Sequence, residues 1–217
     1  MEELKESEKL TRKEKEHLFR RKEILDAALK LFATKGYDGA SMQEIATASE
    51  FSIGTLYNFF STKEDLYMTL LEEKFQESRR WIEQRVEKEE NCLEKVHAAV
   101  EALLSFMDNN REYFTLFVGI QAMPDSGALH KGLHKKMMDF YEMHIDFFRG
   151  LMRECVKEGV LGDFEPMELA MTLIGMTNEW IYRWLTGPGD LNLKQQHGKI
   201  MDLFLNGARG ASCKAEK

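Results

Sequence analysis

Ser52-Ile53-Gly54-Thr55-Leu56-Tyr57-Asn58-Phe59-Phe60-Ser61-Thr62-Lys63-Glu64 decides how this chain reads. Ser52 can cap a short helix through its hydroxyl, and Leu56 and Phe60 offer that helix an inner face. The outer face carries Gly54, Thr55, Tyr57 and Asn58, which hydrogen-bond without bringing charge. Just upstream, Ser41-Met42-Gln43-Glu44 is a capping box that starts another short helix, packed through Met42, Ile45 and Ala46. Only Ser49-Glu50-Phe51 separates the two. A helix, a tight turn and a second helix with a hydrogen-bonding outer face is how a DNA-reading module is built.

Working outward, Ile24, Leu25, Ala28, Leu29, Leu31 and Phe32 recur at helical spacing until Gly36 stops them. Residues 1–16 are highly charged and nearly free of large apolar side chains, and read as a flexible arm. After the decisive stretch, Thr62-Lys63-Glu64-Asp65 opens a long helix through Leu66, Leu70, Phe75 and Trp81. Helix then follows helix: 92–108, 111–122, a break at Met123-Pro124-Asp125-Ser126-Gly127, a helix to about residue 158, one starting near Pro166, and a last over about 193–208. No strand-like alternation occurs, so the expected fold is all-α with about nine helices. The functional boundary is placed near residue 66. Residues 17–66 then form the helix-turn-helix unit, with its motif at about 41–60, and 67–217 form the second domain.

Composition narrows the function. The 217 residues are 43% hydrophobic and 31% charged, as in a soluble globular protein. No apolar run is long enough to span a bilayer, and the charged first residues are unlike a secretory signal. Cys92, Cys155 and Cys213 lie far apart without a CxxC pair, which argues against a disulfide framework or zinc finger and for a reducing cytoplasm. A net charge of −7 does not suit a DNA binder, but its distribution does: residues 9–35 hold nine basic side chains against four acidic ones. A solvated, salt-bridged helix face would look the same.

These residues resemble the tetracycline-repressor (TetR) family of bacterial transcription regulators. The likeness runs through Ile24-Leu25-Asp26-Ala27-Ala28, Leu31-Phe32, Gly36-Tyr37-Asp38, Ile45-Ala46, Ser52, Gly54-Thr55-Leu56-Tyr57, Phe60, Lys63-Glu64 and Leu66, within residues 18–78. It implies an all-helical homodimer with an N-terminal helix-turn-helix and a C-terminal ligand-sensing domain. Two positions depart from the pattern. Ser49-Glu50-Phe51 stands where Ala-Gly-Val is usual, and Glu50 in a left-handed turn costs ~1 kcal/mol against glycine. Ile53 stands where a basic residue is common, exchanging a phosphate contact for an apolar group that can meet a thymine methyl.

On that resemblance the expected DNA contacts are Ser41, Met42, Gln43, Ser52, Ile53, Gly54, Thr55, Tyr57, Asn58 and Lys63. Gly54 lets the helix approach the phosphate backbone, Thr55 and Tyr57 are neutral donors, and Asn58 can pair bidentately with an adenine edge. Ser41 and Gln43 open a helix whose N–H groups attract phosphate, and Lys63 does the same one helix later. Helix capping is the competing role, and for Ser41 and Thr62 the main one.

The resemblance also places an effector pocket among helices five to eight. The candidate lining is Phe106, Phe114, Phe117, Met137, Tyr141, His144, Phe148, Ile174 and Asn178, with Tyr141, His144 and Asn178 orienting a polar head. Without a buried Arg or Lys cluster, a small hydrophobic or aromatic effector is expected rather than a polyanion. The last two helices carry more apolar surface than one core face needs: Trp180, Ile181, Trp184, Ile200, Leu203 and Phe204. In the family such helices form the dimer interface.

His130 and His134 are four apart but read as a surface pair, so no metal is expected. There is no G-x-S-x-G, P-loop or dinucleotide fingerprint, and no cofactor is expected. The reading is a ligand-responsive repressor that binds a palindromic operator as a dimer. Its rivals are an activator or constitutive DNA binder, and an all-helical binding protein or enzyme for apolar small molecules without DNA recognition.

Overall fold

Thr11 opens the first helix with a reciprocal cap: its hydroxyl accepts from the Glu14 N–H at 3.3 Å, and the Glu14 carboxylate accepts from the Thr11 N–H at 2.8 Å. The computed structural model describes residues 10–121, 128–187, 189 and 191–207. Helix α1 spans Arg12–Gly39, so residues 12–16, expected to belong to a flexible arm, are helical. The Thr11-Arg12-Lys13-Glu14 cap signature accounts for this difference, while residues 1–9 of the expected arm lie outside the described residues. The helix breaks at Gly36, whose φ of 71° is open to glycine at little cost.

Both short helices start on the expected caps. Helix α2, Met42–Ala48, carries the complete Ser41/Glu44 capping box. Ser52 caps α3, Ile53–Phe59, by accepting from the Thr55 N–H at 3.1 Å. Between them Glu50 adopts φ 60°, a left-handed conformation that no other described non-glycine residue takes. The Phe51 N–H reaches the Ala46 carbonyl at 3.0 Å and the Glu50 N–H reaches Thr47 at 3.2 Å. These two bonds close the end of α2 in the manner usually served by glycine.

Six further helices follow: α4 Lys63–Val86, α5 Cys92–Asn109, α6 Arg111–Gln121, α7 Ala128–Lys157, α8 Pro166–Thr186 and, after a 3₁₀ turn at Lys194–Gln196, α9 His197–Asn206. The described residues thus form nine α-helices and no strand. The break expected at 123–127 falls outside them, and the last helix starts at His197 rather than near 193 because the 3₁₀ turn intervenes. Helix α4 packs along α5, α7 along α8, and α1 against α6.

Two hydrophobic cores result. One fills the bundle of α5, α7, α8 and α9 around Val96, Val100, Phe148, Leu173 and Ile200. The other holds the helix-turn-helix through Ile24, Phe32, Ile45, Leu56 and Leu66, and it does not end at residue 66. It runs on through Tyr67, Leu71 and Phe75 of α4 into Phe106, Tyr113, Leu116, Leu133, Met137 and Phe140. Phe75 and Phe140 stack at 4.2 Å with an interplanar angle of 10°. Trp81 and Met107 pack against both cores.

Candidate functional site

The outer face of α3 is open. Gly54, Tyr57 and Asn58 are exposed, as are Ser41 and Gln43 at the start of α2. A methyl group at Gly54 would meet only the Ser52 hydroxyl, at 3.9 Å. Apart from that contact nothing crowds the position, and the surface around it is bare. Ser52 and Thr55 are engaged with one another, their hydroxyl oxygens 2.9 Å apart, and Ile53 is half-buried against the reading-head core.

Two expected contacts are placed differently. Met42 is 8% exposed and belongs to the core, because the first residue after the cap points its side chain inward. Lys63 does not reach outward: its ammonium donates to the carbonyls of Tyr37 at 2.8 Å and Ala40 at 3.0 Å, and lies 4.3 Å from the Tyr37 ring centre. It fastens the corner between α1 and α2 to the start of α4, two charge-assisted bonds at carbonyls left free by a helix end. Nearby, Lys35 bonds the Glu44 carboxylate at 2.6 Å and, with the hydroxyl and N–H of Ser41, holds it down to about 2.

The basic N-terminal half of α1 lies over the back of this unit. His17 packs on Phe59 at 4.6 Å, Arg20 sits 5.9 Å from the Phe51 ring and Arg21 5.6 Å from the Phe60 ring. Arg21 also pairs with Glu73 of α4.

In the bundle, a cavity of about 80 Å³ opens between α4, α5, α6, α7 and α8. Of the candidate lining residues, Phe114, Tyr141, His144, Ile174 and Asn178 border this cavity. Phe106, Met137 and Phe148 do not: each is buried in a core, Phe106 and Met137 in the one shared with the reading head and Phe148 in the bundle's own. The side chain of Phe117 lies outside the described residues. The structure adds Phe75 and Ser78 from α4, Leu103 and Met107 from α5, Tyr113 from α6 and Phe140 from α7. Periodicity shows that Phe75 and Ser78 belong to a packed helix, but not that their neighbours leave a gap. Burial pushes the Tyr113 phenol well above its ordinary pKa, so it stays neutral.

The last two helices also sort differently from the expectation. Ile181, Trp184 and Ile200 are buried within this chain, packed in the bundle core, and cannot serve a partner. Trp180 and Phe204 are half-buried, and Leu203 is exposed together with Met167, Met171 and Tyr182. Among the described residues no three His, Cys, Asp or Glu side chains are grouped to hold a metal ion, and no helix is long and apolar enough to cross a membrane.

Comparison with known proteins places this geometry. Residues 24–69 match the family described as bacterial regulatory proteins, tetR family, and residues 89–208 match the tetracyclin repressor-like C-terminal domain. The chain is 20% identical over 186 residues to the fatty acid metabolism regulator protein of Bacillus subtilis (strain 168), spanning 85% of this chain and 93% of that protein. The fatty acid degradation regulator FadR from Bacillus halodurans superposes with a TM-score of 0.77 at 20% identity, over 88% of this chain and 97% of that one. FadR from Bacillus subtilis in complex with stearoyl-CoA gives 0.71 at 20% identity, over 85% and 97%. With both the reading head and the C-terminal bundle matched, this chain belongs to the TetR family of bacterial regulatory proteins.

Proposed function

We propose that this regulator is a repressor that holds a palindromic operator as a dimer and releases it when a hydrophobic effector enters the cavity. The observation that carries this is the course of α4. Its first turns, at Leu66, Tyr67 and Leu70, belong to the reading-head core, while Phe75 and Ser78 line the cavity. An effector that favours one position of α4 shifts the spacing of two reading heads, and linkage requires DNA to oppose it.

Within residues 17–66, the DNA contacts we assign are Ser41 and Gln43 to phosphate, and Tyr57 and Asn58 to base edges or phosphate, with Gly54 allowing close approach. Residues 67–217 sense the effector and dimerise. Dimerisation would use the apolar groups still free on α8 and α9: Met171, Trp180, Tyr182, Leu203 and Phe204. The apolar lining favours a hydrophobic effector, and the stearoyl-CoA bound by a protein of similar fold makes acyl-chain compounds the first class to screen. The cavity is smaller than the roughly 150 Å³ that accommodates benzene, so a chain would have to part the flexible Met107 and its neighbours. Membership of a regulatory family speaks against the rival reading as an enzyme.

The test is fluorescence-anisotropy binding to the DNA flanking the chain's own gene, against scrambled DNA, across a salt series with and without acyl-CoA. Tight, sequence-dependent binding with a steep salt slope and release by an acyl-CoA is the expected result. Equal, weak binding to both DNAs would overturn the proposal. Leu203→Arg tests the dimer by light scattering; an unchanged dimer mass would remove α9 from the interface.

A further inference from the structure

Two polar groups are stranded at the cavity wall. Ser78 is 3% exposed and its hydroxyl has no hydrogen-bond partner. His144 is half-buried, but its Nε2 is closed off from solvent and likewise has none. Native chains rarely leave buried polar groups unsatisfied, and each such group calls for an explanation. Both residues line the same cavity, amid Phe75, Leu103, Phe140 and Ile174. Ser78 comes from α4 and His144 from α7, so the two stranded groups stand on different helices across one apolar space.

We propose that Ser78 and His144 together receive a single neutral hydrogen-bonding group of the effector, a carbonyl or hydroxyl borne by the apolar segment that enters the cavity. This rests on the reading of the cavity as the effector site. The pairing follows from what each side chain offers. A serine hydroxyl both donates and accepts, and a neutral imidazole has one donor and one acceptor nitrogen, which suits an ester, thioester, ketone or alcohol oxygen. An anion is disfavoured, because no Lys or Arg lines the cavity. Arg79, whose charge is felt at His144, already donates its Nε to Glu83 at 2.7 Å. Burial holds the His144 imidazole down to about 4, so at neutral pH it brings no positive charge either. A carboxylate lodged there would be a buried charge without a counter-ion.

The placement also gives the bond a task. Ser78 lies one turn beyond Phe75 on the helix whose beginning is built into the reading-head core. A ligand bonded to both Ser78 and His144 adds a polar tie between α4 and α7 at the cavity, beside the Glu72–Lys136 ion pair at 2.7 Å and the stacking of Phe75 on Phe140 that already join them. The polar contact adds a directed bond to what α4 meets of the effector through Phe75, and the apolar body supplies residence.

The experiment uses the full chain and three probes of one chain length: 1-octanol, methyl octanoate and octanoate, each displacing the apolar dye N-phenyl-1-naphthylamine at pH 7.5. The alcohol and ester are expected to bind about tenfold more tightly than the acid, the scale of one hydrogen bond to a buried partner. Ser78→Ala and His144→Phe should each lose most of that preference, while His144→Gln, which keeps a hydrogen-bonding group, should retain part of it. Circular dichroism melts show whether each variant is folded. If the dye and all three probes bind wild type and Ser78→Ala alike, the cavity reading stands and this inference falls. A preference for octanoate also overturns it. If neither the dye nor any probe binds wild type, the cavity is not the effector site, and both fall.

Discussion

The Tyr67 hydroxyl donates to the Leu116 carbonyl at 3.2 Å, joining the helix that closes the reading head to the helix that walls the cavity. Leu116 stands two residues after Phe114, which lines that cavity, and Tyr67 packs edge-on against Phe32 at 4.8 Å and Tyr37 at 5.2 Å. Tyr37 in turn lies under the Lys63 ammonium. A displacement of α6 thus reaches the first turns of α4 inside the reading-head core, upstream of the cavity-lining Phe75 and Ser78.

Tyr67→Phe removes this bond and keeps the ring. We expect a stability loss of about 1 kcal/mol in urea denaturation. The fall in operator affinity on adding effector should also shrink. An unaltered ratio of affinities with and without effector would confine Tyr67 to packing.

Glu50→Gly should stabilise the chain by about 0.5–1 kcal/mol, because glycine takes the left-handed turn without strain but loses more freedom on folding. The midpoint of urea denaturation should rise at unchanged slope. No rise would mean that the Glu50 side chain compensates its own backbone.

That turn shows what the sequence makes legible. The missing glycine, the two caps at Ser41 and Ser52 and the break at Gly36 are local chemistry, and each appears in the fold where the residue types put it. The Thr11 cap was equally local, but a charged segment with few apolar residues masks it. The cavity is another matter. Phe106, Met137 and Phe148 share the helical spacing of Phe114 and His144 and, like Phe114, are buried in a core, yet only Phe114 and His144 border the cavity. Periodicity assigns a residue to the inward arc of its helix, and whether that arc meets a neighbour or a gap depends on three or four helices at once. Ile181, Trp184 and Ile200 went astray for the same reason: their helices are apolar over a wide arc, and only packing says which part a partner can reach.

Lys63→Met should cost about 2–3 kcal/mol, the scale of hydrogen bonds from a charged donor. At a temperature where the variant is still folded, the dependence of log K for operator on log salt should keep its wild-type slope. A slope smaller by roughly one unit would return Lys63 to the phosphate contacts.

His144, half-buried with its Nε2 closed off from solvent, gives a pH dependence with a definite sign. Its pKa is lowered in the folded chain, from an ordinary 6.5 to about 4, by burial first and then by Arg79. Protonation therefore favours the unfolded chain: stability is undiminished above pH 6.5, falls as pH drops from there to about 4, and levels below. Arg79 and Glu83 on α4 border the same side chain and pair with each other at 2.7 Å. His144→Gln should show a smaller drop in melting temperature between pH 7 and 4.5 than wild type. Parallel curves would mean that the ring is hydrated in solution.

Because Phe106, Tyr113, Leu116, Leu133, Met137 and Phe140 share a core with the helix-turn-helix, the DNA reader is not a detachable cassette. A fragment cut after residue 78 would leave Phe32, Tyr67 and Phe75 without their far wall, and should be prone to aggregate rather than fold alone. The same holds for grafting. A chimera that sets this reader on another member's bundle must bring along the facing sides of α6 and α7, or two mismatched surfaces will meet where one continuous interior stood. The residues of this shared interior, on the reader and on the bundle, must change in concert, so the two parts are tied across a seam that a helix diagram does not reveal.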